Sequence, residues 1–194
     1  MAGLKLWLAL LCLFLSPVAA RADEVARWRP YVEEASARFG MPVPWIERVM
    51  RAESGGRMML GGRPIVSSAG AMGLMQLMPG TWSDMRARLG LGHDPHAPRD
   101  NILAGTFYLR LMYDRFGYPG LFAAYNAGPT RYASVRAGKA RLPAETRSYL
   151  AAVGGTDAPI GASAVAMAPV SGRAGADPIF FIHRKPTSSG RPER

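Results

Sequence analysis

Glu53 is the residue whose type and position raise a chemical question. In the stretch "IERVMRAESGG" (residues 46–56) and the residue before it, Trp45, Val49 and Glu53 recur every four positions. They therefore share one helical face. An indole and a valine open that face, and a carboxyl closes it just before Ser-Gly-Gly breaks the helix. An acid there also opposes the helix dipole, whose C-terminal pole favours cations. Two local rules are broken at one residue, and such breaks tend to mark functional sites. Set beside Trp45, Ile46, Val49 and Met50, the carboxyl loses solvation, which raises its pKa by disfavouring the anion. A carboxyl protonated at neutral pH is what general-acid cleavage of a glycosidic bond requires. Read alone, the segment also fits an ordinary solvated glutamate at a fraying helix end.

A conventional glycosidase uses two carboxyls, the second as nucleophile or as base for water. Between Ser54 and Ser83 there is no Asp or Glu, and capping explains Asp84. The stretch offers one acid, with Asp94 or Asp100 as the distant partners that hydrolysis would need. His93, His96 and His183 have no metal-ligand spacing, and no metal or cofactor is expected.

The elements that must position Glu53 are helices. No stretch alternates over strand length, so the fold class is all-α. "VARWRPYVEEASARFG" has apolar residues at helical spacing, interrupted or kinked at Pro30 and capped by Gly40. "PWIERVMRAES" tolerates Pro44 in its first turn. Residues 55–70 read as loop, and "AMGLMQLMP" as a short apolar helix stopped by Pro79. "TWSDMRARLG" opens on a Thr-x-x-Asp box and ends at Gly90. "DNILAGTFYLRLMYDRFG" is the longest helix, capped by Asp100 and closed by Gly117. Two or three more lie in "GLFAAYNAG", "PTRYASVRAG" and "PAETRSYLAAV".

The ends differ from this middle. Residues 1–22 carry one Lys, an apolar run from Leu6 to Leu15 and small residues at the end, the pattern of a signal peptide. Cleavage fits after Ala20 or Ala22, and retention as an anchor is the alternative. The run is short for a permanent span. The single cysteine, Cys12, lies inside it, so the exported protein relies on its core and not on disulfides. The expected location is the periplasm. Without Lys5 and Arg21 the formal charge falls from +10 to +8, with 22 basic and 14 acidic residues. A basic surface suits a polyanion, and after export nucleic acid is the least accessible one. Residues 154–194 turn to Gly, Ala, Ser and Pro and read as a disordered tail, with "IFFI" as a brief apolar island. The expected catalytic domain spans residues 23–153.

Five stretches together resemble the soluble lytic transglycosylases, which share a goose-type lysozyme fold. In order they are "ESGG", "SSAGAMGLMQLMPGT", "DNILAGTFYL", "AAYNAGP" and "LPAETRSYL", spread over residues 40–150. The resemblance implies Glu53 as the single catalytic acid and Ser68, Met75, Gln76, Tyr125 and Asn126 as sugar-binding residues. Glu145 matches a glutamate near the cleft, beside its simpler reading as a first-turn helix acid. Met72 and Met78 read as core, whereas Met75 is expected in the groove. Tyr125 is expected to hydrogen-bond the catalytic carboxyl or an acetamido group. Asn126 also fits a helix cap, and Gly70 and Gly73 would let backbone approach a sugar.

The implied reaction cleaves peptidoglycan between N-acetylmuramic acid and N-acetylglucosamine, leaving a 1,6-anhydro end. The implied setting is local wall opening for a conjugation or secretion machine such as a type IV system. Lysozyme-like hydrolysis is the runner-up. The rival from another class is a wall-binding assembly factor that keeps the fold without the chemistry.

Overall fold

The computed structural model describes residues 23–154. The expected signal peptide at 1–22 and the tail from residue 155 onward lie outside the described residues. Within them, a single 3-10 turn at Ala26–Trp28 leads into seven helices and one small hairpin. The all-α expectation is met, with the hairpin added.

Helix α1 runs Arg29–Phe39 and buries Val32, Ala35 and Phe39, the spacing of one helical face. Pro30 sits in its first turn, where no amide is missed, so it starts the helix and does not kink it. Helix α2, Val43–Glu53, buries Trp45, Ile46, Val49 and Met50. Strands β1 (Met59–Leu60) and β2 (Arg63–Pro64) pair antiparallel, Met59 opposite Pro64 and Leu60 opposite Arg63. The Gly61-Gly62 turn between them has φ of 58° and 77°, as a two-residue turn of matching twist demands.

Three helix starts differ from expectation. Residues 71–78 are not a helix: Met72 forms single bridges with Val66 and Leu77, and turns fill the rest. Pro79 opens the next helix and does not end a previous one. That helix, α3 at Pro79–Leu89, has Met78 as its N-cap, so Thr81 lies inside it and is no capping box. Helix α4, Pro98–Phe116, is capped at Ala97; Asp100 lies in its first turn and accepts the Gly92 amide at 2.9 Å. Prolines at the first helical positions override the side-chain caps that the sequence suggested. The C-caps at Gly40, Gly90 and Gly117 stand where expected.

Helix α4 is the hub, packed on α1, α3 and on α5 (Gly120–Ala127). Ile102, Leu103, Ala104 and Leu109 are fully buried along it. Arg110, 3% exposed, reaches the C-terminal end of α1, donating to the Phe39 carbonyl at 3.1 Å and to Asp114 at 2.7 Å. A cation at a helix C-terminus meets the negative end of its dipole. Helix α6, Pro129–Arg136, leads to α7, Ala144–Val153, which lies across α5 and α2. That crossing brings α7 to the end of α2, where Glu53 is.

Candidate active site

Glu53 is the last residue of α2, so the opposition to the dipole is real. As a residue it keeps some exposure, yet its carboxyl is largely desolvated, and its pKa is pushed up to about 7. Burial is the main cause; the negative charge of Glu145 adds to it, and the Tyr149 phenol works against it by offering a proton. The Tyr149 oxygen is buried and makes no hydrogen bond of full geometry, so it faces the carboxyl without fixing it. Burial and the Glu53 charge together push the Tyr149 phenol well above its ordinary value. The Tyr125 phenol rises for the same two reasons, and Tyr108 rises to about 12 through burial alone. The Tyr108 and Tyr125 rings stand 5.3 Å apart, tilted, as neighbours on α4 and α5. Helices α5 and α7 thus set the Tyr125 and Tyr149 phenols beside the carboxyl, with Tyr108 of α4 against Tyr125, and all three phenols stay neutral at physiological pH.

The segment after α2 is held by named side chains. Ser54 is 2% exposed; its hydroxyl donates to the Leu74 carbonyl at 2.8 Å and accepts the Gly56 amide at 3.1 Å. Asn101, fully buried in the first turn of α4, accepts the Met75 amide at 2.7 Å and donates to the carbonyls of Met72 (3.1 Å) and Pro95 (2.8 Å). One amide thereby shapes residues 72–75 without a helix. Gln76 has φ of +46°, the sole positive φ of a non-glycine residue among those described. Its side chain donates to the Gly73 carbonyl at 2.8 Å. Such a conformation costs energy and clusters at ligand sites.

The expected site residues fall unevenly on this frame. Glu53, Tyr125 and Glu145 come together, on α2, α5 and the first turn of α7. Tyr125 does not reserve its hydroxyl for the carboxyl or a sugar: it donates to the Met75 carbonyl at 2.8 Å. Met75 is not in a groove. Its side chain is fully buried against Gly105, where an added Cβ would lie 2.5 Å from the Met75 Cβ. Of the three methionines in this run, Met72 and Met78 keep partial exposure. The segment is not helical, so helical spacing does not decide which methionine faces out.

Gly73 is pressed on the Asn101 side chain, whereas Gly70 has open space at its α-carbon. Ser68 is exposed on a turn, and the neighbouring Ser67 is the one whose hydroxyl is built in, accepting the Ala71 amide at 3.0 Å. Asn126 sits partly exposed in the last turn of α5. Asp94 and Asp100, the distant acids, are engaged at the 91–97 loop, accepting the amides of His96 (2.8 Å) and Gly92 (2.9 Å).

Sequence reasoning assigned no role to Tyr149, Ser54 or Asn101. Tyr149 follows Glu145 by four residues, so one face of α7 carries both, and that spacing was a readable signal. Asn101 was readable as a lone amide opening an apolar helix run. Ser54 carried no signal beyond adjacency to Glu53.

The family described as "Transglycosylase SLT domain" matches residues 30–147. The endo-type membrane-bound lytic murein transglycosylase A of Klebsiella pneumoniae is 30% identical over 125 residues, 55% of this chain and 59% of that protein. The transglycosylase of Enterobacteria phage PRD1 is 29% identical over 146 residues, 75% of this chain and 51% of that one. An inactive mutant of the lytic transglycosylase Slt from Pseudomonas aeruginosa superimposes with a TM-score of 0.55 at 29% identity, covering 64% of this chain and 22% of that chain. The chain thus spans a little over half the length of these curated relatives, and the likeness bears out the all-α, lysozyme-like architecture.

Proposed function

The chain belongs to the transglycosylase SLT domain family, and on that premise we propose that it is a peptidoglycan lytic transglycosylase working with one acid, Glu53. The observation that supports this most is the Glu53 carboxyl itself, titrating at about 7 in a desolvated position. At neutral pH it is present in both protonation states, as a group that must give and then take a proton requires. Glu53 donates its proton to the glycosidic oxygen as the bond from muramic acid C1 breaks. The resulting carboxylate then takes the proton of the muramic 6-hydroxyl, whose oxygen closes on C1. No water enters, and the acid is regenerated. The three neutral phenols provide no second anion, and Glu145 acts on Glu53 by raising its pKa.

Ser68, Gln76 and Asn126 are the partly or fully exposed polar groups that this reading assigns to the sugar. Gln76 both donates and accepts, as hydroxyl and acetamido groups need. We place the enzyme in the periplasm, exported by the segment at 1–22 as a signal peptide, with 23–153 as catalytic domain. It needs no cofactor. No helix of the described residues is long and apolar enough to cross a membrane. The likeness to a phage transglycosylase over 75% of the chain supports service to a conjugation or secretion machine that must pass the wall.

The test is a digest of purified peptidoglycan by the chain and by Glu53→Gln, read by mass spectrometry. Muropeptides ending in anhydro-muramic acid, absent with Glu53→Gln, are the expected outcome. Reducing ends one water heavier would make the enzyme a hydrolase. Wall binding without products would leave an assembly factor.

A further inference from the structure

The family match begins at residue 30, yet the described residues before it are built into the end of α2 that carries Glu53. The Trp28 indole N–H donates to the Gly56 carbonyl at 2.8 Å, in a buried bond. Gly56 lies so close to this segment that an added Cβ would stand 2.6 Å from the Glu24 carbonyl carbon and the Val25 nitrogen. Its φ of +76° is likewise one that other residues rarely adopt. Val25 is buried to 1% exposure. Asp23 pairs with Arg51 and also accepts the Val25 amide at 3.1 Å. In the chain these contacts fall at Arg51 and Gly56, on either side of Glu53. Between them Ser54 is bonded to Leu74 from the other direction.

A segment that only completed the core would bury Val25 and the Trp28 ring. Its buried indole N–H would need some acceptor, but here the acceptor is the carbonyl three residues past Glu53, and the segment's backbone is packed directly on Gly56. We propose that residues 23–28 form a clamp, outside the part of the chain that matches the family, which fixes the position of Glu53, with Trp28 as its positioning residue. The inference rests on the reading of Glu53 as the acid.

The clamp acts by geometry and by keeping water from the carboxyl-bearing turn. The titratable groups that act on Glu53 are Tyr149 and Glu145 of α7, with Tyr125 of α5 coupled to it; the Asp23 charge is matched by Arg51. Loosening the turn hydrates the carboxyl and lowers its pKa.

The test compares wild type, Trp28→Phe, Asp23→Asn and Glu53→Gln as full chains on purified peptidoglycan, at a temperature where each is folded. Trp28→Phe keeps the ring and loses the donor. It is expected to lower kcat about tenfold, short of the roughly hundredfold that a 1 Å misplacement costs, with KM changed less than about twofold. The alkaline limb of kcat/KM should move down by about half a pH unit or more. Asp23 and Arg51 are both about half exposed, so Asp23→Asn does not threaten folding. It should lower kcat about twofold and move the pH limb the same way by about 0.3 unit, in line with the modest worth of an exposed pair. Wild-type kcat and pH limb in both variants would overturn the clamp, as would a loss confined to Tm. If Trp28→Phe does not fold, Asp23→Asn decides alone. If Glu53→Gln keeps wild-type activity, the acid assignment itself fails and the clamp falls with it.

Discussion

The two walls beside Glu53 rest on different physics. One is helical: α5 and α7 present Tyr125, Tyr149 and Glu145, and bury Leu121, Phe122, Ala124 and Val153 behind them. The other is the run 71–78, as apolar as a helix but folded by polar atoms that belong to other elements. Asn101, Ser54 and Tyr125 supply its bonds to Met72, Leu74 and Met75. Buried area is shared among many contacts, so it degrades gradually when one is lost. A set of buried hydrogen bonds fails one atom at a time, because each orphaned group carries its full desolvation penalty. Both walls supply stability, and the polar-stapled wall also fixes position.

That contrast breaks first at Asn101. Asn101→Ala orphans one buried amide and two part-buried carbonyls and should destabilise the fold by roughly 4 kcal/mol, measured by denaturant unfolding. Activity should fall with it even where the variant stays folded. Leu121→Ala removes a fully buried side chain from α5, in the helical wall, and should cost roughly 3 kcal/mol. Assayed well below its lowered Tm, it should retain wild-type kcat, and equal losses of kcat in the two variants would erase the distinction between the walls.

Glu53→Gln probes the junction. The folded pKa, about 7, lies above the ordinary value of 4.5, so the fold favours the protonated form. Its stabilising contribution is complete below the unfolded value and is lost as pH rises through the folded one. The glutamine variant should match wild type near pH 4 and exceed it by on the order of 2 kcal/mol above pH 7, discounted for the partial exposure of the residue. Thermal scans across pH read this directly. The smallest effect belongs to Gln76→Gly. Relief of the positive φ and loss of the bond to Gly73 nearly cancel, leaving stability within about 1 kcal/mol while substrate affinity falls.

The same two walls explain what could be read in advance. Helices α1 and α2 follow apolar periodicity, and periodicity is local, so the helical class there and the placing of Glu53 at the end of an apolar face were legible. Helix starts were less so: Pro79 and Pro98 open helices that Thr81 and Asp100 seemed to cap, and Pro30 opens the helix it seemed to kink. The run 71–78 misled because its apolar content is helix-like, while its shape is dictated by an asparagine on another element. The family resemblance put Met75 in the groove, whereas the chain turns it against Gly105. Tyr125 was legible as a site residue and not as a staple, since its partner, a backbone carbonyl, leaves no mark in a sequence. Tyr149 and Glu145 could meet Glu53 only once α7 was known to cross α2.

The central claim is that these walls hold one carboxyl near neutrality. The direct measurement is a carbon-13 NMR titration of the Glu53 side-chain carboxyl in the full chain, assigned by its loss in Glu53→Gln. The account predicts a midpoint of about 7, the value that burial beside Glu145 produces. A midpoint near the ordinary 4.5 would contradict it, leaving Glu53 a solvated helix-end glutamate and the acid still to be found.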